Sequence, residues 1–245
     1  MRFLQPDSNV VIVGASGGIG SAFTRQLFER QSSGNLLAFS RSGEAGQRPG
    51  ALYHRMDVCD EASILSAANI ARSVGPLDLV IVASGILHRG TRIRPEKSMR
   101  ALDADTLVEV MKVNAIGPAL VAKHFLPLLR PGRKTVFAAL SARVGSITDN
   151  HLGGWASYRS SKAALNMLLR TLSIEHARRR PESLVVALHP GTVATALSQP
   201  FTRNVPRDRL FTPDEAAAQL LDVIDGLEPA DTGGFFAWDG SKIEY

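Results

Sequence analysis

The sequence predicts an α/β fold: a doubly wound parallel sheet of about seven strands with helices on both faces, in a single domain over residues 1–245. Three observations lead there. Short apolar runs alternate with longer amphipathic stretches along the chain, the pattern of βαβ units. The first apolar run enters a glycine-rich turn and then, at once, a helical pattern. No internal repeat, low-complexity linker or break in composition divides the 245 residues.

Taken in order, the apolar runs Val10–Val13, Asn35–Ser40, Leu52–Met56, Leu79–Val82, Thr135–Leu140, Leu184–Leu188 and Phe235–Trp238 are the strands. Between them, Gly18–Arg30, Glu61–Val74, Asp105–Leu129, Ser157–Arg179 and Pro213–Leu227 are the helices. Crossovers of this kind are right-handed. Three stretches lack periodicity: Gly-rich Ser42–Gly50, a surface loop; basic Ile86–Asp103; and Thr192–Thr212, with Pro200, Pro206 and three arginines. The last two follow strands at their carboxyl ends, where open α/β sheets bind ligands.

Composition removes several classes. With 44% hydrophobic and 21% charged residues the chain is not disordered, and no apolar run reaches the roughly 20 residues that span a bilayer. A single cysteine, Cys59, excludes an internal disulfide framework and a multi-cysteine zinc site, and the six histidines show no metal-ligand spacing, so no metal is expected. The beginning of the chain shows no apolar segment ending in a cleavage site, so a cytoplasmic protein is expected. Net charge is +5, but the basic residues are scattered and aromatics are only 6%, which argues against nucleic acid.

Val10–Val13 runs into Gly14-Ala15-Ser16-Gly17-Gly18-Ile19-Gly20 and then a helix. Glycines let the backbone turn tightly against a pyrophosphate, and the helix start offers unpaired N–H groups and a positive dipole end. The strand-turn-helix context makes dinucleotide binding in a Rossmann-type fold the expectation. The second strand ends in Ser40-Arg41-Ser42, with no carboxylate to bind a ribose 2′-hydroxyl. Arg41 can pair with a 2′-phosphate, so NADP(H) is favoured over NAD(H).

Tyr158 and Lys162 stand four apart at the start of an Ala-rich helix, hence on one face. A phenol is a poor acid or base near neutrality, and an adjacent ammonium lowers its pKa into range.

The Gly14-x-x-x-Gly18-x-Gly20 spacing, an Asn-bearing helix, a Ser-bearing strand and then Tyr158-x-x-x-Lys162, in that order, resemble the short-chain dehydrogenase/reductase family over nearly the whole chain. The resemblance implies hydride transfer between a nicotinamide and a carbonyl or alcohol carbon. It makes Tyr158 the acid/base and gives Lys162 the ribose hydroxyls. Asn114 would hold a water in a proton relay, and a serine would steady the substrate oxygen. It places Asp57 and Val58 at the adenine. Pro190 and Gly191 form the turn beside the nicotinamide, with Val193 at the carboxamide and Thr195 at a phosphate. It implies a homodimer or homotetramer through the helices that begin at Asp105 and Ser157, and a lid over 192–212.

Two departures stand out. Ala83-Ser84-Gly85 occupies the place of the family's Asn-Ala-Gly. The family's serine lies three residues before a glycine, where this chain has Ala142 in Ser141-Ala142-Arg143-Val144-Gly145. Ser141, re-aimed by a local bulge, is favoured over Ser146. The longer segment before Tyr158, and the ending Gly234-Phe235-Phe236-Ala237-Trp238-Asp239-Gly240-Ser241, resemble the C-factor-like and sniffer-type carbonyl reductase branch. The expected activity is NADPH-dependent reduction of an aldehyde or ketone, or the reverse alcohol oxidation. The alternative is an NADP(H)-binding signalling or sensor protein with little turnover. Arg203, Arg207 and Arg209, with the basic loop Arg89–Arg100, would suit an acidic substrate.

Overall fold

The computed structural model describes residues 1–30, 34–43, 50–203, 205–206 and 209–245. Seven strands pair in parallel in the order β3-β2-β1-β4-β5-β6-β9. They are β1 (Val10–Val13), β2 (Leu36–Ser40), β3 (Ala51–Arg55), β4 (Leu79–Val82), β5 (Thr135–Leu140), β6 (Ser183–His189) and β9 (Phe235–Ala237). The order reverses between β1 and β4, which opens a crevice at their carboxyl ends.

Both faces of the sheet are covered. Val11, Val13, Val80, Val82, Phe137 and Ala139 pack against α2 (Glu61–Ser73), α4 (Gly117–Phe125) and α5 (Ala156–Ala177). Val10, Ile12, Leu79, Ile81, Val136 and Ala138 pack against α1 (Gly18–Arg30) and α6 (Pro213–Gly226). Strands covered on both sides need apolar residues at every position, which is why they read as continuous runs. Helix starts follow their capping chemistry: Asp60 accepts Ala62 N–H for α2, and Thr212 forms a capping box with Glu215 before Pro213 for α6.

The helix expected over 105–129 is not continuous. It divides into α3 (Ala104–Met111), a π turn over Lys112–Ile116, α4, and a 3₁₀ turn at Leu126–Leu128. Gly117 N–H reaches back five residues to Lys112 O, and Pro118 has no N–H to return to the Asn114 carbonyl. Within the expected loop 192–212, two-residue strands β7 (Thr192–Val193) and β8 (Leu210–Phe211) pair in parallel. Most of the expected surface loop 42–50 lies outside the described residues, as does Arg207. Among the described residues no helix is long and apolar enough to cross a membrane.

Candidate active site

The glycine turn is fixed by close packing. Gly14 has φ +85°, and a Cβ there would lie 2.8 Å from Ser84 N and 2.9 Å from the Ala83 carbonyl carbon, so the turn presses on the end of β4. At Gly20 a Cβ would sit 2.1 Å from Gly14 O. Gly18, Ile19 and Gly20 form the first turn of α1, which carries no acidic residue, so its N–H groups and positive dipole end face the crevice unopposed. A Cβ on Gly18 would meet Thr195 Cγ2 at 2.7 Å, which brings the segment after β6 against this turn.

A cleft of about 400 Å³ opens at the carboxyl ends of β1, β2 and β4. Gly14, Ser16 and Gly17 form one wall; Ser40, Arg41, Asp57 and Val58 a second; Ala83, Ser84 and Gly85 a third. Its two carboxylates are engaged: Asp57 accepts Cys59 N–H at 2.9 Å, and Glu109 is paired with Arg89 and Arg92. Arg41 is exposed at the rim and makes no ion pair among the described residues. Ser84 Oγ is buried without a partner. A polar orphan, glycine-lined backbone and the Arg41 guanidinium fit the phosphates and ribose hydroxyls of a dinucleotide. Arg89 and Lys112 also line this cleft, which sequence reasoning did not assign to it.

Tyr158 and Lys162 share the face of α5 that meets this crevice. Lys162 is buried, and its Nζ donates to Leu140 O at 2.8 Å and lies 5.8 Å from the Tyr158 ring centroid. A Cβ on Gly85 would be 3.7 Å from Lys162 Nζ and 3.4 Å from Asn114 Oδ1, so both residues converge on the end of β4. Burial pushes Lys162 down to about 8. It pushes the Tyr158 phenol up to about 12, although the residue is partly exposed. This corrects the sequence expectation that the ammonium lowers the phenol. The Leu140 carbonyl holds the ammonium, and desolvation dominates. Tyr158 is therefore firmly protonated at neutral pH.

Asn114 sits in the π turn, fully buried. Its side chain accepts Ile86 N–H at 2.8 Å and donates to Ile86 O at 2.8 Å and Ser161 Oγ at 3.1 Å. Its amide thus clamps the segment that follows β4.

The bulge expected at Ser141 is not formed. β5 pairs with β6 in one register from Thr135↔Ser183 to Leu140↔Leu188, and Ser141 N–H continues it to Leu188 O at 2.7 Å. Strand parity then turns Ser141 toward α5, where its hydroxyl donates to Asn166 Oδ1 at 2.7 Å in the interior. Ser146 is also buried, and its Oγ accepts Asp149 N–H at 3.1 Å. Beside Ser141 stands His189, which burial pushes down to about 4.

Sequence reasoning also missed an aromatic wall. Trp155 lies 6.4 Å from Tyr158 and 5.0 Å from Phe201, and His88 packs on Phe201 at 5.8 Å, ring to ring. His88 Nε2 contacts Ala196 O at 3.0 Å, which ties segment 192–203 to the loop after β4. Gly191, at φ +75°, leaves room for Phe211 beside Trp238, and Val193 is buried. Only the glycine pair before Trp155 hinted at this wall. Arg89 and Arg92 of the basic loop are paired with Glu109 of α3, which weakens the expectation of an acidic substrate. Among the described residues no cluster of three His, Cys, Asp or Glu could hold a metal.

The short chain dehydrogenase family model matches residues 8–206. The 1-hydroxy-2-glutathionyl-2-methyl-3-butene dehydrogenase of Rhodococcus sp. (strain AD45) is 31% identical over 240 residues, covering 97% of this chain and 100% of the relative. The C-signal of Myxococcus xanthus is 34% identical over 172 residues, 70% of this chain and 94% of that one. The NADPH-bound carbonyl reductase from chicken fatty liver superposes with a TM-score of 0.84 at 28% identity, covering 98% of this chain and 94% of that one. The carbonyl reductase Sniffer of D. melanogaster shares the fold, with a TM-score of 0.83 at 21% identity over 98% and 100%. Glycine turn, Asn-bearing helix and Tyr-Lys helix stand in the family's order on its seven-stranded sheet, and the chain belongs to the short-chain dehydrogenase family of oxidoreductases.

Proposed function

We propose that the protein is an NADP(H)-dependent reductase of an aldehyde or ketone carbonyl, with Tyr158 as proton donor. The observation that carries the reading is the placement of Tyr158 beside Lys162, on the face of the helix where Lys162 meets the dinucleotide cleft at Gly85. A phenol that holds its proton at neutral pH can give it to a carbonyl oxygen that becomes more basic as the hydride arrives. When bound, the dinucleotide supplies the hydride. The turn at Gly14–Gly20 and the start of α1 would hold its pyrophosphate, Asp57 and Val58 its adenine end, and Ala83–Gly85 the path between. Arg41 would pair with a 2′-phosphate, and the carbonyl reductase from chicken fatty liver, 28% identical, is an NADPH-bound relative. Pro190, Gly191, Val193 and Thr195 would meet the nicotinamide end.

Lys162 would bind ribose hydroxyls, and a water on the Asn114 carbonyl would return a proton to Tyr158. Trp155 packs edge to face on Phe201 beside the phenol, with His88 edge-on to Phe201 in turn, which supports a carbonyl compound with an apolar or aromatic flank. Segment 192–212 would act as the lid. Val108, Met167 and Ile174 are exposed apolar residues on α3 and α5, which supports assembly as a homodimer or homotetramer.

The test is NADPH consumption over aldehydes, ketones and quinones, parent beside Tyr158→Phe, with cofactor binding titrated in both. Turnover lost in the variant while NADPH still binds is the expected result. The similarity to the C-signal supports a second reading, an NADP(H)-binding signalling protein. Tight NADPH binding with no turnover over the panel would favour it.

A further inference from the structure

The catalytic helix lacks a cap of its own. At its N-cap position stands Trp155, in the left-handed region (φ 54°, ψ 40°) with no side-chain capping bond, the one non-glycine residue with positive φ among those described. It follows Gly153 and Gly154, also left-handed at φ +62° and +67°. A bulky residue in that conformation persists only when its surroundings hold it there.

What holds it comes from the loop after β4. Glu96, buried at 4% exposure, accepts Trp155 N–H on its carbonyl at 2.6 Å. Its carboxylate accepts Ser157 N–H at 3.2 Å and the Ser157 hydroxyl. One residue thus accepts a backbone N–H on each side of the helix start and places a carboxylate at the positive end of a 22-residue dipole. Tyr158 is the next residue, and Trp155 is the ring packed against it.

We propose that Glu96 is the positioning residue that sets the first turn of α5, and with it the aim of the Tyr158 phenol and the Trp155 wall. The proposal rests on Tyr158 being the proton donor. Glu96 does not touch reacting atoms and acts through Ser157 and the Trp155 backbone. A cap drawn from residue 96 has a consequence that a local Ser or Asp lacks: the loop beside the cleft and the acid move as one piece.

The test compares Glu96→Gln and Ser157→Ala with the parent, using kcat, KM, its pH profile, NADPH affinity by titration, and tryptophan emission in the absence of ligand. Glutamine keeps one acceptor for Ser157 N–H but loses the charge, and alanine at 157 loses only the hydroxyl, so both should fold. The expected result for Glu96→Gln is about a tenfold fall in kcat, a displaced pH profile and red-shifted emission as Trp155 loosens, with NADPH affinity within about twofold. Ser157→Ala should show the same changes at smaller size. Unchanged kcat and emission would overturn the proposal. So would NADPH affinity falling in step with kcat, since that marks general loosening. A parent that reduces no carbonyl overturns the reductase reading instead. The emission comparison then decides the clamp alone, a red shift upholding it and its absence overturning it.

Discussion

Ser141→Ala separates the family's usual arrangement from the one this chain adopts. The hydroxyl donates to Asn166 Oδ1 at 2.7 Å, with Ser141 3% and Asn166 2% exposed. Asn166 Nδ2 already lacks a partner, so the variant leaves the buried amide with none. Leaving such a group unsatisfied costs about 1–3 kcal/mol. At about 2–4 °C per kcal/mol for a chain of this size, a cost of about 2 kcal/mol lowers Tm by about 4–8 °C. Catalysis should move little, with kcat within about threefold, because the hydroxyl faces α5 and not the crevice. A donor aimed at the developing oxyanion is worth about 100- to 1000-fold instead. Thermal unfolding and NADPH consumption on the same preparations decide it. A fall in kcat beyond about 100-fold with Tm unchanged would refute the reasoning and return Ser141 to the substrate.

Three further outcomes are expected. Lys162 titrates near 8 when folded and near 10.5 when unfolded, so the unfolded chain binds more protons between those values and stability rises with pH across that window. The rise totals about 3 kcal/mol; denaturant midpoints from pH 7 to 10 should show it in the parent and not in Lys162→Met, and equal slopes would contradict the burial argument. Gly20→Ala puts a Cβ 2.1 Å from a backbone oxygen and should weaken NADPH binding by at least about tenfold and lower stability by about 1–3 kcal/mol. Gly226→Ala, with open space around it, is the control that should change neither. Arg41→Asp should raise the NADPH Kd by about 10- to 100-fold with little effect on NADH, read by fluorescence titration; equal loss for both cofactors would remove Arg41 from the 2′-phosphate.

The strands were legible because helices on both faces force apolar residues at successive positions, as in Val10–Val13 and Leu79–Val82. The glycine turn was legible for a related reason: each of its close contacts excludes a Cβ, so the constraint is written as residue type. β7 and β8 were not, since two residues carry no period. The break in the helix over 105–129 hid because Lys112–Ile116 has ordinary helix-compatible residues, and Pro118 reads equally as a tolerated first-turn proline. The aim of Ser141 follows from strand parity counted from Thr135, which turns it to α5 because no bulge interrupts the register with β6. Glu96 was out of reach altogether. Its partner is 61 residues away, and nothing local to either residue announces the bond.

The π turn at Lys112–Ile116 is, in helical terms, one residue too many. Removing a single residue there would take out the five-residue step between α3 and α4, while Pro118, with no N–H, would still leave a gap in the ladder. A deletion ahead of Asn114 would turn that residue about 100° around the axis of α3, off Ile86. Such a deletion would disarm the site by moving one side chain, with α3 and α4 themselves left standing. The surplus residue marks where regularity has been given up to hold one amide in place, and makes the length of this segment, more than its composition, the quantity under constraint.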